Sequence, residues 1–493
     1  MRMIKPGALL ALGLLTVAAC SGSVETPSSS SGRGGGSTSS TSSTTSSWSG
    51  SSSTSNGGAA SCEDPPPSTG NAPVAAAWAM ALGDGMTPAG GDFIAADAQG
   101  NVLLSGGIGG LLDFGGGVLL SGNGRYLAKL DPAGHAQWAK LLADPLVHLT
   151  TDGAGSLWTW GEGDGGPTVQ KLGSDGAPLW SVSVPAKLVA PTSDGGALVA
   201  TDFYDSFSFQ GQSFKASYGD LVVLRLDPGG TLLWATTLGA ALPPLPPPPA
   251  KAQWYMTPMD LAAMPDGGAA LAAYVVKSEE MAGGIPERVV LRLDGQGQEA
   301  WLLHTPSPAA SPALMLTADA QGGVLLTLLQ GSTAESNLGC GPHYSSGFGM
   351  ELLDALGQRR WERFFEGEVG VNRPAFDPAG NIVVVGEFEG AVDLGGGLLE
   401  GQSYFSIMVA RYSAAGQHLS SKAYRNSPPE PGWLGSGECR ADAAAIDPSG
   451  NVLLTGYYAG ALAFDGSALP SVPVNEGPYF TNGLVAKLVT VGE

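Results

Sequence analysis

From residue 74 onward, short apolar runs alternate with polar clusters, and no run keeps a helical period. Runs such as "NVLLSG" and "LVVLRLD" are leucine-rich or β-branched and of strand length. Bounded by Gly, Asp, Asn and Pro, they read as β-strands joined by tight turns. The polar clusters recur as "DAQGN" (97–101), "DGAGS" (152–156), "SDGGA" (193–197), "PDGGA" (265–269), "DAQGG" (319–323), "DPAGN" (377–381) and "DPSGN" (447–451). In such a turn the Asp carboxylate accepts its own backbone N–H two residues on, and Gly supplies the positive φ. Each turn offers one carboxylate, whereas calcium takes several oxygens at alternating positions, so no metal site is expected here.

A second turn follows a third strand in the first six units. It carries Trp four residues after Gly in five units: Gly134/Trp138, Gly176/Trp180, Gly230/Trp234, Gly297/Trp301 and Gly357/Trp361. The sixth unit has Gly416 followed by Ser420. Seven repeats of four short strands predict an all-β fold, a seven-bladed β-propeller over 74–493. The seventh unit stops at its third strand, "GLVAKLVTVGE". The missing Trp strand stands at the other end, as "VAAAWAMALG" (74–83). The N-terminal strand is therefore expected to complete the last blade and remove the exposed sheet edges.

The units, including "DFGGG" (113–117) and "DLGGG" (393–397), resemble bacterial seven-bladed propeller repeat proteins. The Gly-x-x-x-Trp feature is similar to the tryptophan-docking repeats of quinoprotein propellers. Dehydrogenases of that family use a vicinal cysteine pair beside the cofactor. No two cysteines are adjacent in this chain, so no cofactor is expected.

Before the repeats, "MRMIKPGALLALGLLTVAAC" has a basic start and an apolar run closed by small residues. That is a secretory signal, too short and wrongly flanked for a permanent membrane helix. Val17-Ala18-Ala19-Cys20 resembles a bacterial lipobox, which implies a lipidated Cys20 after cleavage of residues 1–20. Residues 21–73 are rich in Ser, Thr and Gly; such a composition predicts a disordered linker. The expected protein is a monomer tethered to a cell-envelope membrane by lipid alone, most simply the outer membrane or cell surface.

The three basic and three acidic residues before position 74 cancel, so the net charge of −21 belongs to the repeats. Phosphate-backbone binding needs clustered Lys and Arg, which excludes nucleic acid as a natural partner. No Gly-x-Ser-x-Gly elbow and no His-Glu-x-x-His motif occurs, and the five histidines are scattered. No catalytic residue is assigned.

Binding residues are sought instead on long loops. "ALPPLPPPPAKAQWYMTP" (241–258) brings Trp254 and Tyr255, "NSPPEPGWLGSGEC" (426–439) brings Trp433, and "VNEGPYFTNG" (474–483) brings Tyr479. Cys340 and Cys439 fall in loops expected on one face, which makes them a candidate disulfide. Counting back eight residues from each first-turn Gly gives Val147, Lys187, Met259 and Leu314 in blades 2 to 5. The same count gives Asn372, Asp442 and Asp92 in blades 6, 7 and 1. Ring closure makes those three blades neighbours, so a polar cluster is expected on one side of the channel rim, with Arg373 and Arg440 beside it. The functional expectation is a non-catalytic binding or scaffold module for a protein or glycan. The alternatives are an envelope polysaccharide hydrolase or lyase using the rim carboxylates, and an outer-membrane assembly scaffold.

Overall fold

The computed structural model describes residues 74–490 apart from 84–89, 116, 143–147, 153–154, 164–165, 217–218, 242–253, 278–286, 307–312, 331–345, 402–404, 428–438 and 472–480. Cys20, the linker, Cys340, Trp433 and Tyr479 lie outside the described residues. The described chain forms seven antiparallel sheets of four or five strands around a central axis, a seven-bladed β-propeller, and three smaller sheets of two or three strands. The inner strands start at Phe93, His148, Leu188, Trp254, Ala313, Glu368 and Cys439 in blades 1 to 7.

Blade 7 is completed by the N-terminal strand. Val74–Leu82 pairs antiparallel with Asn482–Thr490, from Val74 opposite Thr490 to Leu82 opposite Gly483. Apolar packing runs between blades rather than inside one central core. The buried side chains fall into seven clusters, one at each blade interface, including one that joins blades 7 and 1 through Leu453, Val485, Leu104 and Tyr126. The ring is thus held by contacts that alternate strand residues supply on both faces of every sheet.

The first turns work as staples. In "DPSGN" the Oδ1 of Asp447 accepts N–H bonds from Ser449 and Asn451, each at 2.9 Å. Its Oδ2 lies 2.8 Å from Lys487 Nζ on the third strand. Asp97–Lys129, Asp152–Lys171 and Asp377–Arg411 repeat the ion pair in blades 1, 2 and 6. In blades 3 and 4 the pairs are Asp194–Arg225 and Asp266–Arg292. Burial alone would raise the carboxyls of Asp97, Asp377 and Asp447, but these bonds outweigh it and hold all three below the ordinary value.

The glycine ending the phrase is also structural. Gly106, Gly386 and Gly456 lie under the start of the inner strand in blades 1, 6 and 7. A Cβ at those positions would collide with the carbonyl oxygens of Gly90, Gly370 and Arg440.

Candidate functional site

The predicted rim residues meet. Asp92, Asn372 and Asp442 line one cavity of about 300 Å³ at the channel mouth where the inner strands begin. Strand-end geometry puts them there. The N–H groups of Asp92 and Asn372 each bond a second-strand carbonyl, at Ser105 and Val385, both at 2.9 Å. Asp442 sits at a bulge, where the register shifts between Ala441, opposite Gly456, and Ala443, opposite Thr455. Asp442 is exposed there. Asn372 also ties blade 6 to blade 7, donating Nδ2–H to Ala441 O at 2.8 Å.

The flanking cations differ from the expectation. Arg440 lies 3.4 Å from Glu387 and stacks 4.0 Å from the Phe405 ring, so it serves the blade 6/7 seam. Asp92 is paired instead with Arg125 of the blade 1 third strand, at 2.5 Å. Arg373 lines the same cavity and forms an ion pair across the channel with Asp260 of blade 4. Half of the Arg373 side chain faces the channel; the strands enclosing it still cost its charged form solvation and lower its pKa to about 10. It remains charged at neutral pH. Asp260 is buried and accepts N–H bonds from Leu261 and from Leu316 of blade 5, both at 2.8 Å.

Next to Asp92, on blades 1 and 2, the mouth is aromatic. His148 stacks on Trp160 with ring centroids 4.7 Å apart, and the edge of Phe93 meets His148 at 5.1 Å. Burial, reinforced by the Arg125 charge, holds the His148 imidazole below the ordinary histidine value. It is therefore neutral at pH 7. Below the rim, Ile94, Leu149, Val189 and Leu261 line the cavity and are buried, giving it an apolar floor.

The opposite end of the channel opens on a larger cavity of about 700 Å³, lined by the turn carboxylates of Asp97, Asp152, Asp319, Asp377 and Asp447. Backbone N–H groups occupy these carboxylates, and Lys or Arg occupies four of the five, so they hold turns. Among the described residues no cluster of three or more His, Cys, Asp or Glu is placed to hold a metal.

Two further expectations need correction or stand apart. Trp254 and Tyr255 are not loop residues: they open the inner strand of blade 4, Trp254–Ala263, paired with Lys277 and Val276. The proline-rich insertion ends earlier than its composition suggested, because the strand extends to pair with a long neighbour. Cys439 is buried at the start of its strand, with Sγ 3.5 Å from Phe405 O and 3.7 Å from Tyr424 O. No disulfide is found among the described residues.

No protein-family model matches the chain, and no curated protein does. Solved structures of low identity do. A calcium-binding protein, regucalcin, from Agrobacterium tumefaciens is 11% identical, covering 62% of this chain and 85% of its own, with a TM-score of 0.30. A gluconolactonase from Xanthomonas campestris is 16% identical over 64% and 86%, with a TM-score of 0.33. A prolyl endopeptidase is 13% identical over 80% and 48%, with a TM-score of 0.41. At these values the likenesses carry no argument about function. The seven sheets themselves define the class: a seven-bladed β-propeller.

Proposed function

We propose that this propeller is a binding module of the bacterial cell envelope that takes its ligand at the channel mouth. The observation that carries the reading is the meeting of Asp92, Asn372 and Asp442 from three blades in one cavity, beside Arg373 and an aromatic cluster. Few convergent polar groups over an apolar floor are what a ligand pocket requires. Lipidation at Cys20 and display on the linker are part of the proposal, supported by the lipobox-like sequence and the Ser/Thr/Gly composition.

A hydrolase or lyase using the same carboxylates is the weaker reading, since it needs a proton on one of them and Asp92 is committed to Arg125. The test is a thermal-shift screen of the protein lacking its first 20 residues against sugars, peptides and small metabolites. The expected hit binds at least tenfold more weakly to Asp442→Asn and to Asn372→Ala, and product analysis finds it unchanged. A ligand indifferent to both substitutions would sink the channel site, and turnover would replace the binding role with an enzymatic one.

A further inference from the structure

The channel mouth has a neighbour. A second cavity of about 550 Å³ shares Asp92 and Asp442 with it and is otherwise lined by Gly90, Gly107, Ile108, Gly109, Gly124, Tyr457 and Thr481. Gly107 and Gly109 belong to the second strand of blade 1, Gly124 to the third, and Tyr457 to the second strand of blade 7. These strands stand farther from the axis than the inner strands. The second cavity is thus a groove running outward between blades 7 and 1, and the two carboxylates mark its junction with the mouth.

Depth distinguishes the two. The mouth ends on buried Ile94, Leu149, Val189 and Leu261, two residues further along their strands than the rim position, so a ligand entering it meets an apolar floor. The groove is open, and its lining of four glycines lets a ligand approach backbone.

The lining chemistry narrows the ligand. Asp92 is ion-paired with Arg125 and Arg373 with Asp260. A charged ligand at either group has to compete with a partner already in place. Hydroxyl groups instead add to the lone pairs and N–H groups that such forked side chains still present. The neutral His148–Trp160 stack and Phe93 offer an uncharged wall for the ring faces of a sugar.

We infer that the ligand is an uncharged, hydroxyl-rich chain, an oligosaccharide, held by its end: the terminal unit sits in the channel mouth and the next units lie in the groove between blades 7 and 1. The inference rests on the channel-mouth reading and adds the ligand's class and direction.

The experiment uses calorimetry with neutral oligosaccharide ladders of about one to six units (α- and β-glucans, mannans, galactans and N-acetylglucosamine oligomers). For one ladder, affinity is expected to rise at least tenfold from one unit to three and then level off. Gly107→Trp should abolish that gain and leave monosaccharide affinity unchanged; an added Cβ at Gly107 meets nothing within 4 Å. Asn372→Ala should weaken every length alike. Polymers capped at both ends should fail to bind.

Affinity independent of length, or binding of capped polymers, overturns end recognition while the channel site survives through Asn372→Ala. Failure of every ladder overturns the sugar assignment, whereas the broader ligand screen decides the channel reading by itself.

Discussion

At the scale of single residues, blade 5 departs from its neighbours in a way that ties stability to pH. The third-strand cation that staples the first turn in other blades is replaced there by Leu352, one residue after Glu351. Glu351 stands directly across the ladder from Glu362. Both side chains are almost wholly buried, at 5% and 3% exposure, and share Arg359, whose Nε is 2.6 Å from Glu351 and 3.9 Å from Glu362. Burial raises the Glu351 carboxyl to about 7, with Arg359 opposing and Glu362 reinforcing the shift. A folded pKa above the unfolded one means that the fold prefers the protonated acid. The contribution is intact below the unfolded value of 4.5 and is lost as pH rises through about 7. By linkage the loss is on the order of 3 kcal/mol. Glu351→Gln, which keeps an acceptor for Arg359, should therefore resist urea better than the parent at pH 8 and about equally at pH 4. Parallel urea midpoints across that range would remove Glu351 from the account.

At the scale of elements, the Trp strands show how each blade is locked to the next. The indole of Trp234 donates to Gly295 O at 3.1 Å and lies against Gly297, in the second turn of blade 4. Trp180, Trp301 and Trp361 repeat the bond to Pro228, Ala355 and Ala414 of the following blades, and Trp78 of the closing strand repeats it to Pro132 of blade 1. The turn glycine is needed twice over, since it holds a positive φ and a Cβ there would strike the indole. Ser420 now has a reason. Blade 7 takes its outer strand from the N-terminus, so it has no second turn for a blade 6 tryptophan to meet. Lys422 reaches across instead, bonding Val74 O at 2.9 Å and pairing with Asp465, which in turn accepts Ala76 N–H at 2.7 Å. Trp234→Ala should cost about 3 kcal/mol, the low end for a buried Trp because its edge is exposed. Ser420→Trp should destabilise by about 1–3 kcal/mol through overpacking, as Ser420 is buried and no turn receives the indole. Chemical denaturation checks both, and a stabilising Ser420→Trp would show that a docking turn exists after all. The same elements show what could be read in advance. Turns, blade number and the rim trio were legible because Asp-x-x-Gly and Gly-x-x-x-Trp fix the register by local backbone chemistry. Asp260 was not, because the count from the turn landed on Met259, the unpaired residue of a bulge between Pro258 and Asp260. Arg125 and His148 escaped as well: one comes from a third strand and the other begins an inner strand one position past the count, and only the ring brings them to the mouth.

At the scale of the whole molecule, the same nine-residue strand that closes the ring also brings blades 6, 7 and 1 into sequence around the rim. Stability and site therefore depend on one joint. Val74 and Leu82 are buried at its two ends, at 2% and 0% exposure, and full burial of such side chains stabilises by about 1.5–3 kcal/mol each. Trp78 adds its docking on blade 1, and the ladder from Val74 to Leu82 satisfies an edge that is otherwise open. Together these approach the net stability of an ordinary domain, about 5–15 kcal/mol. Two truncations separate closure from mere shortening: a chain starting at residue 72 and one starting at residue 84. The first should melt like the protein lacking only its first 20 residues. The second exposes the blade 7 edge at Asn482–Thr490 and should melt far earlier or aggregate. Adding a synthetic peptide of residues 72–83 should restore much of the loss, because the missing strand is a separable part of one sheet. Equal melting of the two truncations, or indifference to the peptide, would mean that the ring is held by its blade interfaces without the N-terminal strand.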